Sequence, residues 1–287
     1  MKEPFVYIVV LNWNGRDVTL RCLHSIQQLR YSNYATLVVD NGSQDGSVEA
    51  IKSQFPQLEV LSLPENRGNA RGFNAGMEVG LGASPHWILF LNNDTEVAPD
   101  LLVELMRGVE KYPDGGVFSP KIYFGADDGL IWYAGGQVDF RLGRMRHRGI
   151  REQDRGQYDE PGQTQFVSGC CMLVRAELAH QLGGFDVTFT ISRFKRSPGY
   201  GEDVDFCYRA QQQQAACYYL PAGKVWHYVS SSMGGELSLR KVLLKFLSTM
   251  RFFWRYGKPW HWPSILGYQV LYYGVLGPAR YIKSRWL

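Results

Sequence analysis

The first hundred residues alternate between short, wholly apolar runs and longer stretches with helical spacing. FVYIVVL (5–11), TLVVD (36–40), LEVLSL (58–63) and WILFL (87–91) have the length and the β-branched or aromatic content of strands. Between the first two, RDVTLRCLHSIQQLR sets Val18, Cys22, Leu23, Ile26 and Leu29 at helical spacing. VEAIKSQF, the small-residue stretch NARGFNAGMEVGL, and DLLVELMRGVEKY, opened by Pro99 and Asp100, complete the alternation. Nearly all-apolar strands separated by helices predict a parallel sheet covered on both faces. Such sheets take ligands at the carboxyl ends of their strands. Four polar clusters stand at those ends: NWNG (12–15), DNGSQDG (40–46), PENRGNARG (64–72) and NNDT (92–95). Their convergence predicts a site on one edge of the sheet.

Beyond this repeat the pattern loosens. Residues 113–165 carry many glycines and scattered charges and read as irregular. FVSGCCMLV (166–174) is a strand candidate, and RAELAHQLGGFD reads as a helix stopped by glycine. EDVDFCYRAQQQQAA reads as a helix with acids in its first turn, followed by the strand-like CYYLP.

Composition places the chain among globular proteins: 287 residues, 45% hydrophobic and 20% charged. The formal charge of +4 conceals an asymmetry, because residues 237–287 hold nine Lys/Arg and no Asp/Glu, which leaves −5 for residues 1–236. The expected organisation is therefore an acidic domain, 1–236, and a basic aromatic amphipathic tail, 237–287. The acidic body argues against a nucleic-acid partner. The tail mixes cations with Leu, Phe and four of the eight tryptophans, a combination that favours a bilayer surface. Its apolar part after Pro263 falls short of the roughly 20 residues a spanning helix needs. A helix in the interface or a shallow re-entrant segment is expected, with an oligomer contact or a helix packed on the body as the alternative. The N-terminal MKEPFVYIVVLNWNG lacks a signal pattern, and five cysteines without a C-x-x-C pair read as free thiols in a reducing cytoplasm.

Eight segments then occur in a set order: VVLNWNG, VVDNGSQDGS, NRGNARGFNAG, FLNNDTEV, FVSGCCMLVRAE, GGFD, EDVDFCYRA and VWHYVSSS. Together they resemble the family 2 glycosyltransferases, in particular the bacterial rhamnosyltransferase-like branch, over roughly residues 5–232. The resemblance implies an α/β GT-A fold, a Rossmann-like and mostly parallel sheet flanked by helices, here followed by a C-terminal helical membrane-associating tail. It implies that Asp40 accepts a hydrogen bond from the pyrimidine ring, and that Asn12, Asn14, Asn66, Arg71, Asn92 and Asn93 contribute to nucleotide or donor binding. Asp94 matches the last acid of the family's D-x-D, which binds a divalent metal, while Asn92 replaces the first acid. His227 matches a metal-binding His after the last strand. Oxygen ligands suit Mg²⁺ or Mn²⁺, and an imidazole tips the choice towards Mn²⁺.

An acid of EDVD is implied as the general base: Asp203, with Glu202 as the fallback and Asp205 as a structural or acceptor-orienting group. One departure is the segment VTFTISRFKRSPGYG (187–201), longer than in relatives. Arg193, Lys195 and Arg196 there are expected to form a lid over a phosphate, or else a solvated loop. The implied function is inverting, metal-dependent transfer of a sugar, rhamnose among the candidates, from a dTDP- or UDP-linked donor. The implied acceptor is a lipid-linked or cell-envelope saccharide, met by a cytoplasmic protein peripheral on the inner face of the membrane. The alternative is a non-catalytic nucleotide-sugar-binding or assembly protein at the membrane.

Overall fold

The structure is a computed structural model and describes residues 3–125, 129–189, 200–228 and 239–272. Lid residues Arg193, Lys195 and Arg196 lie outside the described residues, as does most of the end of the tail. The N-terminal repeat folds as its pattern predicts. Strands β1 (Val6–Asn12), β2 (Tyr34–Asp40), β3 (Glu59–Ser62) and β4 (Trp87–Asn92) alternate with helices α1 (Arg16–Gln27), α2 (Ser47–Gln54) and α3 (Asn69–Gly82). The four strands pair in parallel in the order β3-β2-β1-β4. Every residue of β1 is buried, so the strand has no polar face. The glycines of α3 let it lie against the sheet: a methyl at Gly72, Gly76 or Gly80 would strike Leu11, Val9 or Tyr7 respectively. This accounts for a helix built of small residues.

The chain continues through β5 (Thr95–Val97), α4 (Leu101–Lys111) and β6 (Gly115–Phe124). Then come β7 (Ile131–Tyr133), β8 (Gly136–Asp139), β9 (Arg144–His147), β10 (Gly162–Gln163) and β11 (Cys171–Arg175). Helix α5 (Ala176–Gln181), helix α6 (Glu202–Gln212) and strand β12 (Ala216–His227) follow. Antiparallel β11 inserts between β4 and β6, and β12 runs parallel to β6, so one mixed sheet of ten strands crosses the molecule. The sheet is mostly parallel and flanked by helices.

Residues 113–165, expected to be irregular, contain β6, a ten-residue strand buried in all but its last position. Its pattern is masked by Gly115 and Gly116 at the start and by Pro120 and Lys121 in the middle. Pro120 cannot donate to the ladder, and the register against β12 shifts there. Lys121 is 1% exposed and bonds Asp154 at 2.9 Å and also Asp159. Burial alone would raise the Asp154 carboxyl, but Lys121 and Tyr123 outweigh it and hold the pKa at about 2. A buried lysine with two carboxylates reads as polar until its partners are known. The strand expected at 166–174 is shorter, because residues 166–170 form the approach to the site described below.

The basic segment forms α7 (Leu239–Tyr256), then α8 (Trp262–Gln269). One face of α7 packs on the body: Phe252 and Phe253 are fully buried against Phe140 and Tyr208. Asp205 of α6, itself fully buried, bonds Arg209 at 2.7 Å, Arg255 at 3.1 Å and the Tyr256 hydroxyl at 2.7 Å. Arg255 also pairs with Asp186. The opposite face of α7 leaves Leu243, Leu247 and Trp254 exposed. Among the described residues no helix is long and apolar enough to cross a membrane.

Candidate active site

The four polar clusters meet at one sheet edge because the parallel register brings their strands to a common end: Asn12 aligns with Asp40, Leu11 with Asn92, and Asp40 with Ser62. Asn12 is fully buried at the centre. Its Nδ2 donates to Asp40 Oδ1 at 2.7 Å and to Ser43 Oγ at 3.2 Å. Its Oδ1 accepts from Thr19 Oγ1 at 2.8 Å and Asn93 Nδ2 at 3.0 Å. Asn93 reaches in beside Gly15, where a methyl group would collide with its amide. Asp40 Oδ2 accepts from the Ser43 N–H at 2.9 Å, and Asn14 Oδ1 accepts from the Gln44 N–H at 2.8 Å. Asn12, Asn14, Asp40 and Asn93 thus tie three loops together before any ligand arrives.

The turn at Asn66 is held the same way. Asn66 Oδ1 accepts from the Gly68 N–H at 2.8 Å, and Asn41 Oδ1 accepts from the Arg67 N–H at 2.9 Å. Asn41 is buried and was not among the residues singled out by sequence; its position inside a turn-like DNGS disguised it. Gly42 has φ +76°, and a side chain there would press on the backbone of Glu65, so the two loops touch. Arg71 is exposed on the first turn of α3, and Asn92 is half-buried at the tip of β4.

Asp94 and His227, distant in sequence, come together. β5 pairs with the end of β12, His227 opposite Thr95, and the Tyr228 N–H donates to the Asp94 carbonyl at 2.8 Å. This sets His227 Nε2 3.2 Å from Asp94 Oδ1. His227 is 7% exposed and its Nδ1 is buried without a partner. Trp132 stands edge-on to its ring at 4.6 Å, and His147 lies on the other side of Trp132 at 4.4 Å. Among the described residues no group of three or more His, Cys, Asp or Glu side chains is placed to hold a metal ion.

Helix α6 enters from the other side, capped by Gly201 at φ +83°. Residues three apart on a helix share a face, and Glu202 and Asp205 are both buried, while Asp203 is half-buried and turned elsewhere. Asp203 Oδ2 accepts from the Gly169 N–H at 3.0 Å and Oδ1 from the Val204 N–H at 2.8 Å. Gly169 leads into Cys170, whose carbonyl accepts from the Asn92 N–H at 3.0 Å. Burial raises the Cys170 thiol, and the charges of Asp94 and Asp203 raise it further, so both carboxylates lie within electrostatic reach of one residue. Gly169 was legible only as part of a strand.

Burial raises the Asp203 carboxyl, and the Gly169 and Val204 N–H groups oppose that shift. Burial first, and then the neighbouring Asp203 charge, push Glu202 up to about 8. Glu202 Oε2 is buried without a partner, while Asn69 of the α3 N-terminus bonds the same carboxyl. Both carboxyls are shifted upward, and Glu202, pressed by burial and by the Asp203 charge, is the one that keeps its proton at neutral pH. The five cysteines are all free and buried.

This architecture recurs in solved structures. The chain aligns at low identity with GalNAc-T7 bound to UDP, GalNAc and Mn²⁺ (TM-score 0.66, 16% identity, 88% of this chain, 48% of that one). It aligns also with the mannosyltransferase PcManGT from Pyrobaculum calidifontis with GDP-Man and Mn²⁺ (TM-score 0.63, 17% identity, 94% of this chain, 70% of that one). The chain spans about half the length of the GalNAc-T7 chain, and these likenesses establish the fold alone. In sequence it is 25% identical over 248 residues to N-acetylglucosaminyl-diphospho-decaprenol L-rhamnosyltransferase of Mycobacterium tuberculosis, covering 80% of this chain and 78% of that protein. It is 27% identical over 238 residues to the O-antigen biosynthesis protein RfbC of Myxococcus xanthus, covering 78% of this chain and 17% of that protein. The family model "Glycosyl transferase family 2" matches residues 7–183, more than half of the chain, and takes in the strand-end loops and the approach to Asp203. The chain belongs to glycosyltransferase family 2, and it is a glycosyltransferase of the rhamnosyltransferase-like kind.

Proposed function

We propose that this glycosyltransferase moves a sugar, rhamnose by analogy with its relative, from a dTDP- or UDP-linked donor to a lipid-linked saccharide, with inversion at the anomeric carbon. The observation that carries the reading is the 3.2 Å approach of His227 Nε2 to Asp94 Oδ1 on the same edge as the amide-lined loops. That spacing is close to the roughly 3 Å edge of an octahedral shell built from bonds of about 2.1 Å. One carboxylate, one imidazole and the oxygens of a diphosphate make a donor set that fits Mn²⁺ or Mg²⁺, with nitrogen favouring Mn²⁺. A bound cation of this kind supplies Lewis-acid stabilisation of charge on the departing diphosphate.

The chain's own groups do the rest. Asn14, Asp40, Asn66, Arg71 and Asn92 line the strand ends where the nucleotide lies, with Asn12 and Asn93 fixing the loops that carry them. Asp40 spends one lone pair of each oxygen inside the protein, and the second pairs remain for a ring N–H. Asp203, ionised and held by two backbone N–H groups, takes the proton from the acceptor hydroxyl as that oxygen attacks. Glu202, kept protonated, donates to the acceptor through its unpartnered oxygen. Direct attack by the deprotonated acceptor hydroxyl on the anomeric carbon, with the nucleotide diphosphate departing, is a single displacement and inverts the configuration.

The exposed stripe Leu243, Leu247 and Trp254, with the exposed cations Arg251 and Lys258, suits the surface of an anionic bilayer on its cytoplasmic side. Thermal unfolding with a panel of nucleotide sugars, with and without Mn²⁺, tests the donor. The reading expects one nucleotide sugar to raise the midpoint in a Mn²⁺-dependent way, and the product to show the opposite anomeric configuration by NMR. A panel without response, or a product with retained configuration, contradicts it.

A further inference from the structure

Strand β12 turns successive side chains to opposite faces of the sheet. His227 faces Asp94, while Trp226, one position earlier, faces the other way beside Tyr123, its partner on β6. The two rings stack at 6.2 Å between centres and 26° between planes, and Trp226 is only half-buried. They floor an open cleft of about 820 Å³, within the roughly 300–1,000 Å³ range of small-ligand sites.

The cleft follows from the irregularity of the sheet. β12 pairs Leu220 with Pro120 and Lys224 with Lys121, so residues 221–223 are inserted between two successive residues of β6. One bank is the α4 stripe Glu104, Arg107, Gly108 and Lys111, at i, i+3, i+4 and i+7. Gly108 sits directly on Leu220, where a methyl would collide, so the helix seals that side against the strand. The other bank is the 154–161 loop. Lys121 pins it through Asp154 and Asp159, and the Tyr123 hydroxyl donates to Asp154 at 2.7 Å.

The lining suits a neutral, hydroxyl-rich ligand. Glu104, Asp154 and Asp159 stand against Arg107, Lys111 and Lys224, three charges of each sign, so no strong field of one sign selects an ion. Lys121 lies beneath them at 1% exposure, engaged by the two aspartates. Burial works against the Asp154 charge, but Lys121 and Tyr123 keep it ionised. Its Oδ1 accepts only from the Gly156 N–H, at 3.1 Å. Asp159 bonds Lys121 through Oδ1, and its side chain is 64% exposed. Both carboxylates therefore keep lone pairs for a donor. An aromatic floor rimmed by carboxylates matches a pyranose, whose C–H face packs flat on a ring while its hydroxyls donate outward.

We propose that this cleft is a second saccharide-binding site, which grips a neutral glycan on the face of the sheet opposite the proposed transfer chemistry. The assignment draws on the chain's membership of the glycosyltransferases and does not depend on which donor or acceptor it uses. A glycan held there stays at high local concentration around the enzyme.

Saturation-transfer difference NMR on the full chain tests it, with N,N′-diacetylchitobiose, methyl α-rhamnoside and N-acetylglucosamine 1-phosphate as probes. Wild type should transfer signal to at least one neutral sugar, and the phosphate should confer no tighter binding. Trp226→Ala removes the floor, and Ala222→Trp fills the cleft from an exposed position on its rim. Each should cut the signal about fivefold or more. Circular dichroism checks the fold, and where one variant loses it the other decides. Signal to neither neutral sugar in wild type, signal retained in a folded variant, or tighter binding of the 1-phosphate overturns the assignment. Binding is read without turnover, so signal lost in Ala222→Trp supports the cleft even where no sugar transfer is detected and the proposed function fails.

Discussion

The two sides of the active site are built on opposite principles. On the donor side, polar groups satisfy one another: Asn12, Thr19, Asp40, Ser43 and Asn93 form a closed network within and between the strand-end loops. On the acceptor side a polar group is left wanting: Glu202 Oε2 is buried without a partner, and Glu202 keeps its proton up to about pH 8. A nucleotide diphosphate is bulky and highly charged, so a rigid, prepaid cradle suits it. Proton transfer needs a carboxyl whose affinity for a proton has been altered, and burial beside a like charge achieves that. The difference teaches that satisfied polar networks here mark positioning, and unsatisfied polar groups mark chemistry.

The sharpest way to break this comparison is Asp203→Asn. It preserves shape but removes the base and one of the two hydrogen-bond acceptors, so transfer should fall by about 10²–10⁴-fold. Donor binding by calorimetry should remain within threefold of wild type. If donor binding falls together with transfer, the two sides are not separable and the division of labour is wrong.

A second test concerns what holds the acceptor side in place. Asp205 is fully buried and joins α6 to α7 through Arg209, Arg255 and Tyr256. Asp205→Ala leaves two cations without their shared partner and should cost about 3–5 kcal/mol in a urea unfolding series. A loss below about 1 kcal/mol would show that α7 is not fastened by this clamp.

A smaller and graded effect follows from Glu202. Its folded-state pKa of about 8 stands above the ordinary 4.5, so between those values the folded protein binds more protons than the unfolded one. Stability from this group is complete below about pH 4.5 and is lost as pH rises through about 8. Glu202→Gln has no proton to lose. Its stability relative to wild type should therefore grow from pH 5 to pH 8, by at most about 1.4 kcal/mol per unit. A difference that is flat with pH would mean that Glu202 is not held neutral.

The same division explains what the sequence disclosed. The donor side comes from four consecutive strand–loop–helix units, and each loop is adjacent in sequence to the strand that places it. Asn12, Asp40 and Asn92 could therefore be assigned to one edge from the hydrophobic pattern alone. The acceptor side depends on pairings that periodicity does not carry. β6 was hidden by Pro120 and by Lys121, whose partners Asp154 and Asp159 are more than thirty residues away. Gly169 was read as part of a strand because its task, donating to Asp203, appears only when α6 is docked. The amphipathicity of α7 was visible and packing on the body was one of the alternatives it left open, but the partners Phe140, Tyr208 and Asp205 were not legible.

The central claim is that Asp94 and His227 jointly hold the cation that the donor diphosphate needs. Mn²⁺ binding measured by electron paramagnetic resonance in the presence of dTDP tests it most directly. The account predicts that Asp94→Ala and His227→Ala each weaken Mn²⁺ binding at least tenfold while the fold, judged by circular dichroism, is kept. Mn²⁺ affinity equal to wild type in both variants would contradict it.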